Sequence, residues 1–257
     1  MKNILFIGGT HGNEPIGVRA LKKLETRIEG FDWIIGNPPA LEAKTREFEG
    51  DLNRSAPGDR SSTQFTKRRA AEIVELSQSY RWTIDIHGTN AFTGIFVIIT
   101  NPKQENLELA LRLHIPRIVI WPSFSEELTG PLSGYVRCGI EIECGPKDMP
   151  RVQKRLAEIL EDFVQRSNGN QNEDLASRIP QTTVYEVYGS LRNADTTGFE
   201  EFVETNINGE CFFPLLIGRY QERNGIACYK MRKNKEALSC LMPTSSSAVF
   251  SLPTSTT

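Results

Sequence analysis

The chain has 257 residues, with 30 Lys plus Arg against 32 Asp plus Glu and a formal net charge of −2. So even a balance, without a long block of either sign, excludes a general polyanion binder. A mean hydropathy of −0.36 and the lack of any apolar run near about 18 residues argue against a membrane span, while 20 Gly and 14 Pro suit a loop-rich globular enzyme.

The N-terminus, MKNILFIGGTHG, carries one Lys and a short apolar run, so it reads as a first strand and not as a signal peptide. Residues 3–7 (NILFI) end in Gly8-Gly9, as a buried strand entering a loop would. Ile16, Ala20, Leu21, Leu24 and Ile28 then recur at helical spacing. Residues 31–35 (FDWII) are the next strand, closed by Gly36-Asn37-Pro38-Pro39. A charged, irregular stretch follows to about Arg60, of a length that usually carries function.

A helix is predicted over 64–79, and strand 82–86 (WTIDI) ends at His87. Residues 94–100 (GIFVIIT) and 117–121 (RIVIW) are strands separated by a Leu-rich helix. Residues 139–143 (GIEIE) alternate apolar and acidic, as a strand with one polar face does. Val152, Leu156, Ile159, Leu160, Phe163 and Val164 mark an amphipathic helix. The alternation predicts an α/β fold with a mixed, mostly parallel sheet flanked by helices.

This first domain is expected over 1–166, followed by a polar linker at 167–181. A small β-rich C-terminal domain over 182–243 and a Ser/Thr-rich tail at 244–257 complete the chain. The five cysteines (138, 144, 211, 228 and 240) are odd in number and contain no CxxC pair. That pattern fits reduced thiols and a cytoplasmic location.

Chemistry-bearing residues gather at the strand ends, where open α/β sheets bind ligands. His11 and Glu14, in GGTHGNE, can face one point where the chain turns from strand into helix. The glycines make neither GxGxxG nor a P-loop, so a nucleotide site is rejected. His87 closes a second strand, and His11, Glu14 and His87 form the two-His-one-Glu set that leaves a zinc position open for water. Each histidine alone reads more readily as a loop residue bonded to a backbone carbonyl. His114, beside a helix end, is read as structural.

Glu143, followed directly by the turn residues Cys144-Gly145-Pro146, suits a general base at the rim of the sheet. Glu141 lies on the same side of that strand and is a rival. Arg46 could stabilise an oxyanion, and Asn53-Arg54 could hold a carboxylate, against the plainer reading of a solvated loop.

GGTHGNE, NPPALEAKTREFEGDLNR, DIHGTN and GIEIECGP occur in the order and rough spacing of the aspartoacylase/succinylglutamate desuccinylase family, a branch of the zinc carboxypeptidase-like group. The chain resembles that family over about residues 4–146 and looks closer to its aspartoacylase branch. The resemblance implies one Zn2+ per chain held by His11, Glu14 and His87, with Glu143 as general base and acid. It implies Arg46 as the carbonyl-polarising residue, Asn53 with Arg54 as the α-carboxylate clamp, and Asp51 as loop support.

The family also brings a tyrosine from the C-terminal β domain into the site; Tyr229 is the best match, with Tyr220 its competitor. In aspartoacylases a basic and a tyrosyl residue shortly before the catalytic Glu bind the substrate's side-chain carboxylate. Here Tyr135 and Arg137 lie nearby at a spacing that does not match. The implied activity is deacylation of an N-acyl-amino acid, N-acyl-aspartate or a related acidic substrate. A desuccinylase-like or carboxypeptidase-like hydrolase and a silent zinc-binding scaffold are the alternatives. The partner is the small-molecule substrate, with a homo-oligomer allowed and neither nucleic acid nor membrane expected.

Overall fold

The computed structural model describes residues 2–122, 130–169 and 173–242. The Ser/Thr-rich tail at 244–257 and residues 170–172 of the expected linker lie outside the described residues. The elements run β1 (Lys2–Gly8), α1 (Ile16–Leu24), β2 (Asp32–Ile35), α2 (Pro38–Ala43), α3 (Phe65–Ser77), β3 (Tyr80–Gly88), β4 (Gly94–Ile99) and α4 (Gln104–Arg112). They continue with β5 (Arg117–Ile120), α5 (Leu132–Tyr135), β6 (Gly139–Gly145), α6 (Pro150–Gly169), β7 (Thr183–Arg192), β8 (Thr205–Ile207), β9 (Glu210–Leu215), α7 (Gln221–Asn224) and β10 (Ile226–Lys233).

One mixed sheet carries them in the order β2-β1-β3-β6-β4-β5-β7-β10-β9-β8. The strands β2, β1, β3 and β6 run parallel, and β4 turns antiparallel to β6. The C-terminal strands extend the same sheet through parallel pairing of β7 with β5. Residues 167–169 of the expected linker complete α6, and residues 176–181 form a 3-10 turn. Among the described residues no helix is long and apolar enough to cross a membrane.

Successive strand residues point to opposite faces, so each strand's content sorts the sheet. Ile84 and Ile86 of β3, Ile140 and Ile142 of β6, and Val97 and Ile99 of β4 pack against α1, α4 and α6 in the principal core. The opposite face of β4 and β5 carries Phe96, Ile98 and Val119, packed with Val187, Leu215 and Met231 of the C-terminal strands. On β3 and β6 that second face carries Asp85, His87, Glu141 and Glu143. The register pairs His87 with Glu143 and Asp85 with Glu141. The sheet therefore delivers four ionisable side chains to one place.

Candidate active site

Four segments converge above β3 and β6, around a cleft of about 350 Å3. The first is the turn after β1. Gly9 takes a left-handed φ of +71°, and a Cβ on Gly12 would sit 2.0 Å from the Ala40 carbonyl, so only glycine lets the turn press against α2. Asn37 caps α2 by accepting from Ala40 N, and the prolines at the helix start lack the N–H groups that would go unpaired there. The turn puts His11 Nδ1 3.0 Å from Glu14 Oε2. His87 Nδ1 lies 3.3 Å from the same oxygen and 3.3 Å from His11 Nδ1.

Three lone-pair atoms gathered this closely could hold a cation between them. Ligands about 2.0–2.1 Å from a tetrahedral zinc stand roughly 3.3–3.4 Å apart, close to the spacings seen. The outer nitrogens support the same conclusion. His11 Nε2 bonds Asp51 Oδ1 at 3.1 Å and His87 Nε2 bonds Asp85 Oδ2 at 2.9 Å. A carboxylate on the far nitrogen holds a histidine's proton there and turns the other nitrogen to the metal. Thr10 Oγ1 donates to Asp85 Oδ1 at 2.8 Å and fixes that carboxylate in turn. His11, Glu14 and His87 are the group of donors able to hold a metal among the described residues, and all are buried.

The electrostatics follow. Burial opposes charge on both imidazoles, but Glu14 and Asp51 raise the pKa of His11, and Asp85 with Glu14 lifts that of His87 well above its ordinary value. Burial likewise opposes the Glu14 carboxylate, yet the two histidines hold its pKa well below the usual range. Positive charge is wanted at this point, whether as protons or as a metal ion.

Glu143 stands beside this cluster without a hydrogen-bond partner among the described residues. Burial, with Glu14 and Glu141 adding like charge, pushes its carboxyl up to about 8. Glu141 is occupied differently: its Oε1 accepts from Ser133 Oγ at 2.8 Å and from Asn53 Nδ2 at 3.5 Å. Of the two rivals, Glu143 has the uncommitted carboxyl.

The loop between α2 and α3 supplies Arg46, Asp51, Asn53 and Arg54, all lining the cleft. Arg46 Nη1 donates to Glu14 Oε1 at 3.1 Å and Nη2 to Asp51 Oδ2 at 3.3 Å, while its buried Nε faces Glu47 Oε1 at 3.6 Å without a hydrogen bond. Asp51 also accepts from Asn53 N at 2.9 Å, so it supports both the loop and His11. Asn53 Oδ1 accepts from Leu132 N at 2.9 Å, and Arg54 Nη1 donates to the Asn53 carbonyl at 2.6 Å.

Both candidate tyrosines line the cleft, and their rings stack edge to face at 5.9 Å. Tyr229 packs against Trp121 at 4.6 Å. Tyr220 is felt by the reactive groups: burial raises its pKa, Arg46 opposes, and Glu143 and Glu14 add to the rise. Tyr135 is exposed, and neither it nor Arg137 lines the cleft. His114 pairs with Glu173 and stays outside the cleft as well. Two residues escaped the sequence reading. Asp85 was legible, because D-x-H in a strand puts both side chains on one face. Arg219, on the loop between β9 and α7, belongs to no motif.

The family model for the succinylglutamate desuccinylase/aspartoacylase catalytic domain matches residues 1–168. A probable aspartoacylase from Trichodesmium erythraeum is 27% identical over 194 residues, covering 65% of this chain and 66% of that protein. A second probable aspartoacylase, from Acaryochloris marina, is 29% identical and is matched over 56% of its length. The N-acyl-aromatic-L-amino acid amidohydrolase (carboxylate-forming) of Xenopus laevis is 26% identical, covering 88% of this chain and 84% of that one. Among solved structures, murine aminoacylase 3 superposes with a TM-score of 0.68 at 21% identity, over 90% of this chain and 95% of its own. The chain belongs to the succinylglutamate desuccinylase/aspartoacylase family.

Proposed function

We propose that the protein is a zinc-dependent amidohydrolase that cleaves an N-acyl-amino acid into a carboxylate and a free amino acid. The observation that carries this reading is the meeting of His11, Glu14 and His87 at 3.0–3.3 Å, each histidine backed by a carboxylate, beside an uncommitted Glu143. The relatives named aspartoacylase and amidohydrolase support it.

Held by those three side chains, zinc would supply Lewis acidity at the scissile carbonyl and acidify a water there. Glu143 takes the proton of the attacking water and later gives it to the leaving nitrogen. Arg46 donates to the oxyanion as the carbonyl becomes tetrahedral, an effect of about 3–4 kcal/mol for a well-placed donor. A tyrosine of the C-terminal region joins it there, Tyr229 or Tyr220, whose rings pack edge to face and which both line the cleft. Asn53 and Arg54 clamp the α-carboxylate, the guanidinium fork matching its two oxygens.

The test is amine release from N-acetyl-aspartate, N-acetyl-glutamate, N-succinyl-glutamate, N-acetyl-tyrosine and a dipeptide, with added zinc and with chelator. Chelator-sensitive release from an acyl-amino acid is expected. Release from the dipeptide alone would make the protein a peptidase. Silence across the panel with zinc bound would make it a binding scaffold.

A further inference from the structure

One buried carboxylate of the cleft has no task in the reaction above. Glu141 lines the cleft and is 6% exposed. Its Oε1 takes both of its hydrogen bonds, from Ser133 and Asn53, and among the described residues Oε2 takes none. Ser133 spends its proton on Glu141 and so accepts from Thr100 Oγ1, 3.2 Å away. The donors around Glu141 are thus a hydroxyl and an amide, both neutral. Among the described residues no Lys, Arg or His forms an ion pair with it. Its cross-strand neighbour Asp85 adds like charge and is itself spent on His87 and Thr10. A carboxylate withdrawn from water on these terms calls for a cation.

The strand register describes the wall beside it. Ile98 stands directly opposite Glu141 on β4, and Thr100, two residues on, shares its face. Trp121, whose N donates to the Ile99 carbonyl at 2.9 Å, extends that wall from the end of β5 and packs with Ile98 and Val119. Ile98, Thr100 and Trp121 all line the cleft. Methylenes lie well on such a wall, and a charged tip at its end meets Glu141. Asn53 fixes where this corner falls along the substrate. The amide that touches Glu141 belongs to the α-carboxylate clamp, so the corner lies on the amino-acid side of the scissile bond.

Resting on the deacylase reading above, we infer that Glu141 is a specificity-determining residue that receives a protonated amine on the substrate's amino-acid side chain. An ammonium is a point charge with three donors and suits a single open carboxylate oxygen. A guanidinium fork would want both oxygens, and Oε1 is occupied. An acidic side chain would meet like charge. The substrate class is therefore an Nα-acyl derivative of a diamino acid such as ornithine or lysine. This reverses the acidic side chain that the family resemblance implies.

The experiment measures kcat and KM of zinc-loaded protein on two isosteric pairs and on N-acetyl-glutamate. The pairs are Nα-acetyl-ornithine with N-acetyl-norleucine, and Nα-acetyl-lysine with N-acetyl-2-aminoheptanoate. Wild type should favour the amine member of at least one pair by about tenfold or more and place N-acetyl-glutamate last. Glu141→Gln keeps an acceptor for Ser133 and Asn53 but removes the charge. It should erase the preference, raising KM for the amine member far more than for the neutral one. Glu141→Asp draws the carboxylate back by one methylene and should move the preference towards lysine. Calorimetry of the free amino acids ornithine and norleucine on wild type should repeat the order without turnover or substitution. Equal handling of both members of both pairs would overturn the inference and leave the deacylase reading intact. So would a preference for an acidic or neutral acyl-amino acid over both amine substrates, or a Glu141→Gln loss equal for amine and neutral members. Release from none of these compounds, nor from the panel above, with zinc bound would overturn the deacylase reading and this assignment with it.

Discussion

The two faces of β3 and β6 are buried alike and filled in opposite ways. Ile84, Ile86, Ile140 and Ile142 are at most 1% exposed beneath the helices, while Asp85, His87 and Glu141 on the reverse are 1–6% exposed. The isoleucines gain by leaving water, about 25 cal/mol per Å2 of apolar surface, and ask only for shape. Charged groups in the same strands lose hydration and need a partner at a defined distance. Almost every one has it: Asp85 with His87 and Thr10, and Glu141 with Ser133 and Asn53. Glu143, half-buried, is the exception, and a reactive group is where an uncommitted carboxyl is useful.

The largest effect follows from that exception. Glu143→Gln breaks no side-chain pairing, so the protein should fold and keep one zinc per chain. It should lose kcat by about 10³-fold, within the range for removal of a general acid-base group. Metal analysis alongside turnover checks it. Glu141→Gln disturbs a positioning network instead and should cost less; the reverse ranking would hand the base to Glu141.

A second test breaks the pairing that makes the charged face tolerable. Asp85→Asn leaves His87 without a carboxylate on its outer nitrogen and should weaken metal affinity by about 10–100-fold in chelator competition. The same histidines give the pH dependence its sign. Glu14, Asp51 and Asp85 raise both imidazole pKa values, so protons compete with the metal to a higher pH than at an ordinary histidine site. Affinity should therefore fall as pH drops through neutrality, and a flat profile would contradict this competition.

The apolar face predicts a different response. Ile142→Ala opens a cavity under α6 and should cost about 2–5 kcal/mol in urea unfolding. Zinc content and KM should remain as in wild type, because the lost contacts lie across the sheet from the cleft. Loss of metal together with stability would show that the two faces are mechanically joined.

The same contrast explains what could be read from the chain. Alternating patterns such as WTIDIH and GIEIE announce both the strand and which residues share a face, so the strands carrying His87 and Glu143 were legible without coordinates. The choice of Glu143 over Glu141, and of His11 and Glu14 as ligands, rested on the family resemblance and not on spacing. The short helix α2 was missed inside a stretch read as irregular, although Asn37 before two prolines is a helix start. Arg219 was beyond this kind of reading. It comes from a turn whose placement depends on Glu201 and on long-range strand pairing, and neither leaves a periodic trace.

The smallest effect concerns stability and isolates the cost of the uncommitted carboxyl. In metal-free protein, burial and the neighbouring Glu14 and Glu141 push Glu143 up to about 8, so the folded state holds its proton to a higher pH than the unfolded chain does. A folded-state pKa raised in this way means that its contribution is fully present below the ordinary carboxylate range. It is lost as pH rises through that range to about 8. Glu143→Gln is neutral at every pH and escapes the loss. The metal-free variant should therefore melt close to wild type near pH 5 and above it near pH 9, by roughly a few degrees. Zinc should narrow the gap, since a nearby cation favours the ionised carboxylate. A gap that is constant across pH would mean that Glu143 is ionised in the fold without penalty, and that the charged face is better compensated than its hydrogen bonds indicate.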